Sequence, residues 1–464
     1  MSIATNAIAG PHLVRYGIAA DQRFLLKEFL TTYDQLVING TMVAHTPAAL
    51  AKFLTRGAKG KPYFIDPQTH AFQHDLSLLG PPSAEGGIQI RKSLRRLIDS
   101  FGNPIKSCVD GERDARPVTP GDFDSTPLVR SFCERVLKFQ LNALAGAAQE
   151  PDAAKYYDYL KKKGSGSTKP LVPSLLVAPY FYLSANTAER WLETNLNCAT
   201  HSMKIANDLD MPLAVQIVIS KDILANTTLR QKVIERYVSQ RAPAAFLIWV
   251  DSFSEQQASE FELRQYVELI KALGEGGASV VSLYGGYFSV ALARLKVVGL
   301  HGVTHGLEYG EDRGVVPVGG GLPVAKFYLP ALHMRMPFRQ AVRAVRALGG
   351  FVSREAYSDV VCNCKECQRT VTKDPWEDFA EYGSTRPVSF IRRNLPIVME
   401  YPLPETKVRC VRHYMWKKYD EYHDPISMDG VKTQLDQASK ALEKTLGPDA
   451  TAHCCTWGRV LSGL

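Results

Sequence analysis

The chain has no long uncharged apolar run. Nothing in its 464 residues approaches the roughly 20 consecutive apolar residues that a membrane-spanning helix needs. Its first residues, MSIATNAIAGPHLVRYG, lack a basic segment followed by an apolar core, so no secretory leader is expected. Cysteine is sparse for the length. Nine residues, an odd number, exclude a disulfide framework and fit a reducing compartment. No internal repeat stands out. The low-complexity content is one stretch, Lys161-Lys162-Lys163-Gly164-Ser165-Gly166-Ser167, which reads as a solvated connector or as a phosphate-tracking arm. No Gly-rich turn of the dinucleotide-binding type follows the first apolar runs, which argues against an open, doubly wound sheet. A soluble, cytoplasmic protein with no membrane partner is expected.

What is present is the composition of a folded protein, 45% hydrophobic and 22% charged. The length suffices for one large barrel or two to three domains. Lys and Arg number 55 against 47 Asp and Glu, a formal charge of +8. That mild basic excess suits a nucleic-acid partner without demanding one.

Short apolar runs alternate with amphipathic stretches. Strands are expected at 36–38, Tyr63–Asp66, 175–183, 213–220, 246–251, 280–283 and near 297–303. Helices are expected at 187–209, 229–239, 260–273 and 288–295. Continuous apolar runs between helices are what strands buried on both faces look like, and repeated βα units imply a parallel sheet. The expected fold is α/β: a TIM-type (β/α)8 barrel over residues 1–350, with a helical insertion around 100–170. Residues 351–464 are expected to form a zinc-binding subdomain and C-terminal helices, one of them over 431–446, packed on the barrel.

Barrel chemistry sits at the C-terminal ends of the strands. Asp66 closes the run Tyr63-Phe64-Ile65, and Asp251 closes Leu247-Ile248-Trp249-Val250. Either alone reads equally well as a helix N-cap. Together on one rim they suit glycosidic-bond chemistry, in which one carboxylate attacks the anomeric carbon and the other handles protons. Gln68, Thr69, His70, Phe72 and Gln73 follow Asp66. Phe72 could stack on a base or fill the core, and Gln73 could read a base edge. Gly285-Gly286 is either a tight turn or a place where a flat or anionic ligand approaches the backbone. Glu308 and Arg313 lie in a Gly-flanked polar segment, and Arg313 could grip a phosphate. Lys326, Tyr328, His333, Arg335 and Arg339 have the composition of a nucleic-acid channel, or of a solvated face.

Cys362-Asn363-Cys364-Lys365-Glu366-Cys367 is a C-x-C-x-x-C run. Three thiols this close cannot pair off as disulfides but can converge on one tetrahedral zinc. His413, placed in the first turn of an expected helix, is the preferred fourth ligand, with His423 and Cys410 as competitors. Four protein ligands would make the zinc site closed and structural.

In these residues the chain resembles the tRNA-guanine transglycosylase superfamily, TIM barrels with a C-x-C-x-x-C…His zinc site near the C-terminus. The stretch Asp66-Pro67-Gln68-Thr69-His70-Ala71-Phe72-Gln73 is similar to the family's first catalytic segment, D-S-G-G-F-Q. It keeps the Asp and the Phe-Gln but is two residues longer and lacks both glycines. Gly285-Gly286 resembles the family's substrate loop. Forty-five residues separate Cys367 from His413, more than in the usual tRNA enzymes. The family's nucleophile segment is not recognisable; by order it falls near 302–313, where Glu308 and Asp312 are reserves to Asp251.

Such divergence looks more like the DNA-modifying, DpdA-type branch. The resemblance implies exchange of guanine in DNA for a 7-deazaguanine base of the queuosine pathway, with Asp251 as nucleophile and Asp66 as general acid and then base. Phe72, Gln73, Gly285, Gly286, Glu308 and Arg313 would bind substrate, and partner proteins of the same pathway are possible. The alternatives are the same chemistry on tRNA, a non-catalytic zinc-containing nucleic-acid-binding barrel, and a zinc barrel acting on a small metabolite.

Overall fold

The computed structural model describes residues 7–82, 88–110, 115–148, 171–307, 310–316, 324–392 and 395–464. Eight strands form one parallel sheet: β1 (His12–Tyr16), β2 (Gln35–Asn39), β3 (Tyr63–Asp66), β4 (Leu176–Val177), β5 (Leu213–Ile219), β6 (Ala245–Val250), β7 (Ser279–Ser282) and β8 (Leu300–His305). Their order is β3-β2-β1-β8-β7-β6-β5-β4. The first strand thus lies beside the last, and the sheet is a nearly closed barrel whose one unladdered seam falls between β3 and β4. Ser174 bridges that seam, its N–H donating to the Tyr63 carbonyl at 2.8 Å. Helices Ala188–Asp208, Thr227–Val238, Glu260–Gly274 and Tyr287–Leu295 alternate with the strands, as the apolar periodicity predicts. Thr126–Ala148 is a helix within the range 100–170, and the helix Lys92–Phe101 precedes it. The basic stretch 161–167 lies outside the described residues.

Alternate residues of the strands fill the barrel. Leu13, Val37, Phe64, Val177, Ala214, Val218, Leu247, Trp249 and Val281 belong to one buried cluster. This is the period of two that a strand imposes on its faces.

Two strands differ from expectation. β1, His12-Leu13-Val14-Arg15-Tyr16, is fully buried although it carries a histidine and an arginine. The run 175–183 contributes just two residues to β4. Pro179 explains the latter, because it has no N–H to give to a ladder. Side chains take over along this segment. Gln140 pairs with both backbone groups of Val177, at 2.8 Å each way. Thr69 accepts from the Tyr180 N–H and donates to its carbonyl (2.9 and 2.6 Å). Asn195 does the same for Phe181 (both 2.8 Å), and Gln73 for Tyr182 (2.6 and 3.0 Å).

The chain divides into two compact units. The barrel unit is Met1–Phe253, Arg264–Gly285 and Lys296–Pro317; the second is Ser254–Leu263, Gly286–Leu295 and Val318–Leu464. The division therefore falls near 317 rather than 350. The second unit holds a short hairpin, β9 (Lys326–Leu329) with β10 (Met334–Pro337), and a longer one, β11 (Thr385–Arg392) with β12 (Leu395–Pro402). It also contains the helices Pro404–His423, Met428–Leu446 and Pro448–Ser462. The last two pack against each other across a break at Gly447, whose φ of +93° suits glycine. The final helix was not anticipated from the sequence. Among the described residues no helix is long and apolar enough to cross a membrane.

Gln140 is fully buried. Replacing it with Leu leaves the Val177 N–H and C=O without their partner, at about 1–3 kcal/mol for each buried group. Denaturant unfolding of Gln140→Leu should show that loss, whereas a change at exposed Lys138 should be near neutral.

Candidate active site and metal centre

In a parallel barrel, residues near the C-terminal ends of neighbouring strands share one rim. Arg15 is the penultimate residue of β1, Asn39 the last of β2 and Asp66 the last of β3, with Asn39 and Asp66 in register. Arg15 Nη1 donates to Asn39 Oδ1 at 2.7 Å and to Asp66 Oδ2 at 2.9 Å. The other carboxylate oxygen of Asp66 accepts from the Tyr180 hydroxyl (2.7 Å) and from the Gln68 N–H (3.1 Å).

From this pair a closed circuit of side chains runs round the barrel mouth. The Arg15 guanidinium lies 4.7 Å from the Tyr284 ring centre, and Tyr284 meets Trp249 at 4.9 Å. Trp249 meets His70 edge-on at 5.2 Å, and His70 stacks on Tyr180, also at 5.2 Å. Tyr180 returns to Asp66. All six side chains are buried. Arg15 Nε and Nη2 and His70 Nδ1 have no hydrogen-bond partner among the described residues.

Burial alone would raise the Asp66 pKa. The Arg15 charge, then His70 and the Tyr180 hydrogen bond, outweigh it and hold the carboxyl below its usual range. His70 moves the other way: burial pushes it down to about 3, against the pull of Asp66. The ring is therefore a neutral imidazole beside a carboxylate.

Asp251 follows β6 on the same end of the barrel and is half-buried. It accepts from the Tyr182 hydroxyl (3.0 Å), the Ser252 hydroxyl (2.9 Å) and the Val315 N–H (2.9 Å). Tyr180 and Tyr182, two residues apart on the side-chain-held segment, thus address Asp66 and Asp251 respectively. Both carboxylates are thus held by tyrosines of one short segment.

Other expected site residues are employed differently. Phe72 is fully buried and packs edge-on against Phe101, with ring centres 6.4 Å apart, so it fills the core and has no face for a base. Gln73 spends both ends of its amide on the Tyr182 backbone and cannot read a base edge without releasing it. Gly285 follows β7 and its N–H is taken by the Thr304 carbonyl at 3.2 Å; Gly286 accepts from Val290 as the next helix starts. Arg313 is exposed, and its carbonyl accepts from Trp249 Nε1 (3.0 Å) and the Ser252 N–H (3.0 Å). Glu308 lies outside the described residues, and Asp312 is exposed.

Of the expected channel residues in the second unit, three are engaged within the fold. Tyr328 is fully buried, His333 Nδ1 lies 2.8 Å from Glu421, and Arg335 stacks on Tyr414 at 3.5 Å. Lys326 and Arg339 are exposed.

Arg15, Asn39, Tyr180, Tyr182, Trp249 and Tyr284 were not singled out from the sequence. The available signal was Arg15 itself, since an arginine inside a five-residue strand is buried only with a partner.

The second unit brings Cys362, Cys364, Cys367 and His413 together, all buried, with ligand atoms within 4.8 Å of one another, so the cluster can hold a metal ion. The three sulfurs lie 3.7, 3.3 and 3.3 Å from His413 Nδ1. Backbone N–H groups of Cys364 and Cys367 point at the Cys362 and Cys364 sulfurs (3.3 and 3.4 Å). His413 Nε2 donates to the Tyr328 carbonyl at 2.7 Å, which leaves Nδ1 as the ligand atom. Phe327 stacks on the imidazole at 4.4 Å. His413 lies in the middle of Pro404–His423 rather than in a first helical turn, because that helix begins nine residues earlier at Pro404. Neither competitor joins the cluster. His423 is exposed and hydrogen-bonds the Tyr419 carbonyl at 2.7 Å, while burial pushes the Cys410 thiol up to about 12.

Comparison with family models, with curated proteins and with solved structures finds no match.

The His70 shift has a pH consequence. Its folded pKa lies below the unfolded value of about 6.5, so the unfolded chain binds the proton first. Stability from this group is present above pH about 6.5 and is lost as pH falls toward 3, by up to about 1.4 kcal/mol per pH unit. Melting curves between pH 7 and 4 should show a steeper loss for the wild type than for His70→Asn, which carries no titrating ring.

Proposed function

We propose that the protein is a DNA guanine transglycosylase of the tRNA-guanine transglycosylase superfamily, close in kind to its DNA-modifying branch. It would act as a soluble cytoplasmic enzyme and insert a 7-deazaguanine base. The observation that carries this reading is the pair of carboxylates at one barrel end, one locked as a buried anion and the other half-exposed.

The target nucleotide must leave the duplex, since its anomeric carbon is shielded while the base is stacked. Asp251 attacks C1′; the C1′–N9 bond breaks, its electron pair leaves with guanine, and guanine N9 takes up a proton from solvent water. The incoming 7-deazaguanine then attacks C1′ through N9, the bond to Asp251 breaks, and two inversions restore the β-configuration. Asp66, held as the carboxylate by Arg15, takes the N9 proton of the incoming base. Its pairing opposes the general-acid part expected of it in the first step.

Zinc suits the Cys3His cluster. Bonds of about 2.3 Å to sulfur and 2.0–2.1 Å to nitrogen in a tetrahedron put S···N near 3.6 Å, and the sulfurs here lie 3.3–3.7 Å from Nδ1. Three thiolates and one imidazole complete the coordination, so the metal's part is structural, and one zinc per chain is expected by elemental analysis.

The test is nucleoside mass spectrometry of DNA and tRNA from cells making the protein together with enzymes that supply 7-deazaguanine. A modified deoxynucleoside in DNA is expected, and it should vanish with Asp251→Asn while zinc content stays unchanged. Modification confined to tRNA would move the substrate and keep the chemistry. Wild-type exchange by Asp251→Asn would pass the nucleophile's part to Glu308 or Asp312. Nucleic-acid binding without modification would make the barrel a binding protein, and indifference to both nucleic acids would favour a small-metabolite substrate.

A further inference from the structure

Gln68, two residues after Asp66, sits in a backbone conformation that glutamine rarely adopts, with φ +57° and ψ +35°. Holding a non-glycine residue there costs free energy, and such positions cluster at active sites and ligand clamps. The Gln68 N–H donates to Asp66 Oδ1 at 3.1 Å. Its side-chain oxygen accepts from the Thr41 N–H (3.1 Å) and from the Thr41 hydroxyl (2.9 Å). A backbone N–H can only donate, so the end of the amide that meets Thr41 is the oxygen, and the –NH2 end faces elsewhere. Gln68 is half-buried, and its Nε2 is neither buried nor hydrogen-bonded among the described residues. The bonds to Thr41 account for the oxygen alone. Thr41 lies in the first turn of the helix Gly40–His45, where a carboxylate would accept the same two bonds and suit the helix terminus better. The two N–H groups of the amide are the part of Gln68 that capping this helix leaves unexplained.

We propose that these N–H groups hold a phosphate oxygen of the DNA strand, next to the nucleotide whose base is exchanged. The inference rests on the base-exchange reading and deepens it. Depth and chemistry together select the group. Asp66 is 1% exposed, whereas Gln68 is half-buried and therefore farther out on the same rim. A base entering the barrel mouth goes to the deep end, toward Asp66. The phosphates that join its nucleotide to the rest of the strand stay outside, at the level of Gln68. Two N–H donors need an acceptor there. Deoxyribose has no 2′-hydroxyl, and its other oxygens lie in the ring or in ester bonds, so the acceptor a DNA strand offers at the rim is the phosphate. Glutamine amides are among the neutral donors that fix a nucleic-acid backbone in register without reading its sequence.

The experiment uses the full-length, metal-loaded protein and a short single strand of DNA with one central guanine among thymines. The strand carries ordinary phosphates or, on one side of the guanine at a time, a methylphosphonate, which is neutral and one acceptor oxygen poorer. The wild type should bind the ordinary strand about tenfold more tightly than one of the two methylphosphonates, the worth of one hydrogen bond to a charged group. Gln68→Gly, a residue that suits φ of +57°, should bind the ordinary strand about tenfold more weakly and lose less than about twofold more on that same methylphosphonate. Gln68→Glu keeps an oxygen for Thr41 and replaces the donors by an acceptor. It should melt like the wild type and bind the ordinary strand more weakly than the glycine variant does. A glycine variant as sensitive to each methylphosphonate as the wild type would overturn the phosphate contact. So would wild-type binding by Gln68→Glu, or a wild type that does not bind the strand. The same sequence as RNA offers the 2′-hydroxyl as a rival acceptor, and dependence on Gln68 that appears with RNA alone would also overturn the assignment. Base exchange, followed separately as modified deoxynucleoside in cellular DNA, tells the two readings apart. Gln68-dependent sensitivity to the methylphosphonate without exchange supports the phosphate contact and overturns the transglycosylase. Exchange by a protein whose binding ignores the methylphosphonates does the reverse.

Discussion

The buried ion pair between Arg15 and Asp66 is the constraint from which the barrel mouth is built. Taking a guanidinium and a carboxylate out of water costs several kcal/mol per ion, and their attraction offsets that only where other hydrogen bonds complete both groups. The site meets this condition on the carboxylate side: Tyr180 and the Gln68 N–H hold one oxygen while Arg15 holds the other. Asn39 shares Arg15 Nη1, so the ends of β1, β2 and β3 are tied to a single guanidinium. Removing either charge would strand the other, a change typically worth 3–5 kcal/mol.

The seam follows from the same need. The Tyr180 hydroxyl must arrive at Asp66 from a segment that Pro179 has taken off the ladder. Thr69 and Gln73, from the turn just after Asp66, hold Tyr180 and Tyr182 by their backbones. The turn that follows one carboxylate thereby positions the tyrosines that address both. Asp251 in turn secures the chain beyond β8 through the Val315 N–H. Neither carboxylate is an independent side chain on a strand end; each also holds part of the rim in place.

The strands that were legible in the sequence are those made of uninterrupted apolar residues, such as Leu213–Ile219 and Ala245–Val250, where burial on both faces leaves one pattern. β1 was not, because His12 and Arg15 break its apolar run and become compatible with burial through partners distant in the chain: His305 for the first, Asp66 for the second. The Cys3His cluster was legible because three of its ligands are local in sequence. The position of His413 within its helix was not, because Pro404 starts that helix well before the histidine. At Phe72 the sequence left base stacking and core filling both open, and at Gln73 it suggested a base edge where the structure has a backbone pairing. An aromatic and an amide beside a catalytic-looking aspartate serve base recognition or packing equally well until the residues they touch are known, and here those are Phe101 and the Tyr182 backbone.

The long spacing between Cys367 and His413 acquires a structural meaning from what fills it. The helix Pro375–Tyr382, the β11–β12 hairpin and the first half of Pro404–His423 occupy that interval. The hairpin's base is closed by the Leu403 N–H and the Thr406 hydroxyl, both donating to the Ser384 carbonyl, at 3.1 and 2.9 Å. Thr406 sits in the first turn of the helix that carries His413, so a metal ion joining His413 to the three cysteines would brace the helix from which the hairpin springs. Two strands alone have little rigidity, so a hairpin of this length gains from such an anchor. The lengthened interval would thus be tied, through one helix, to the same cluster whose ligands it separates.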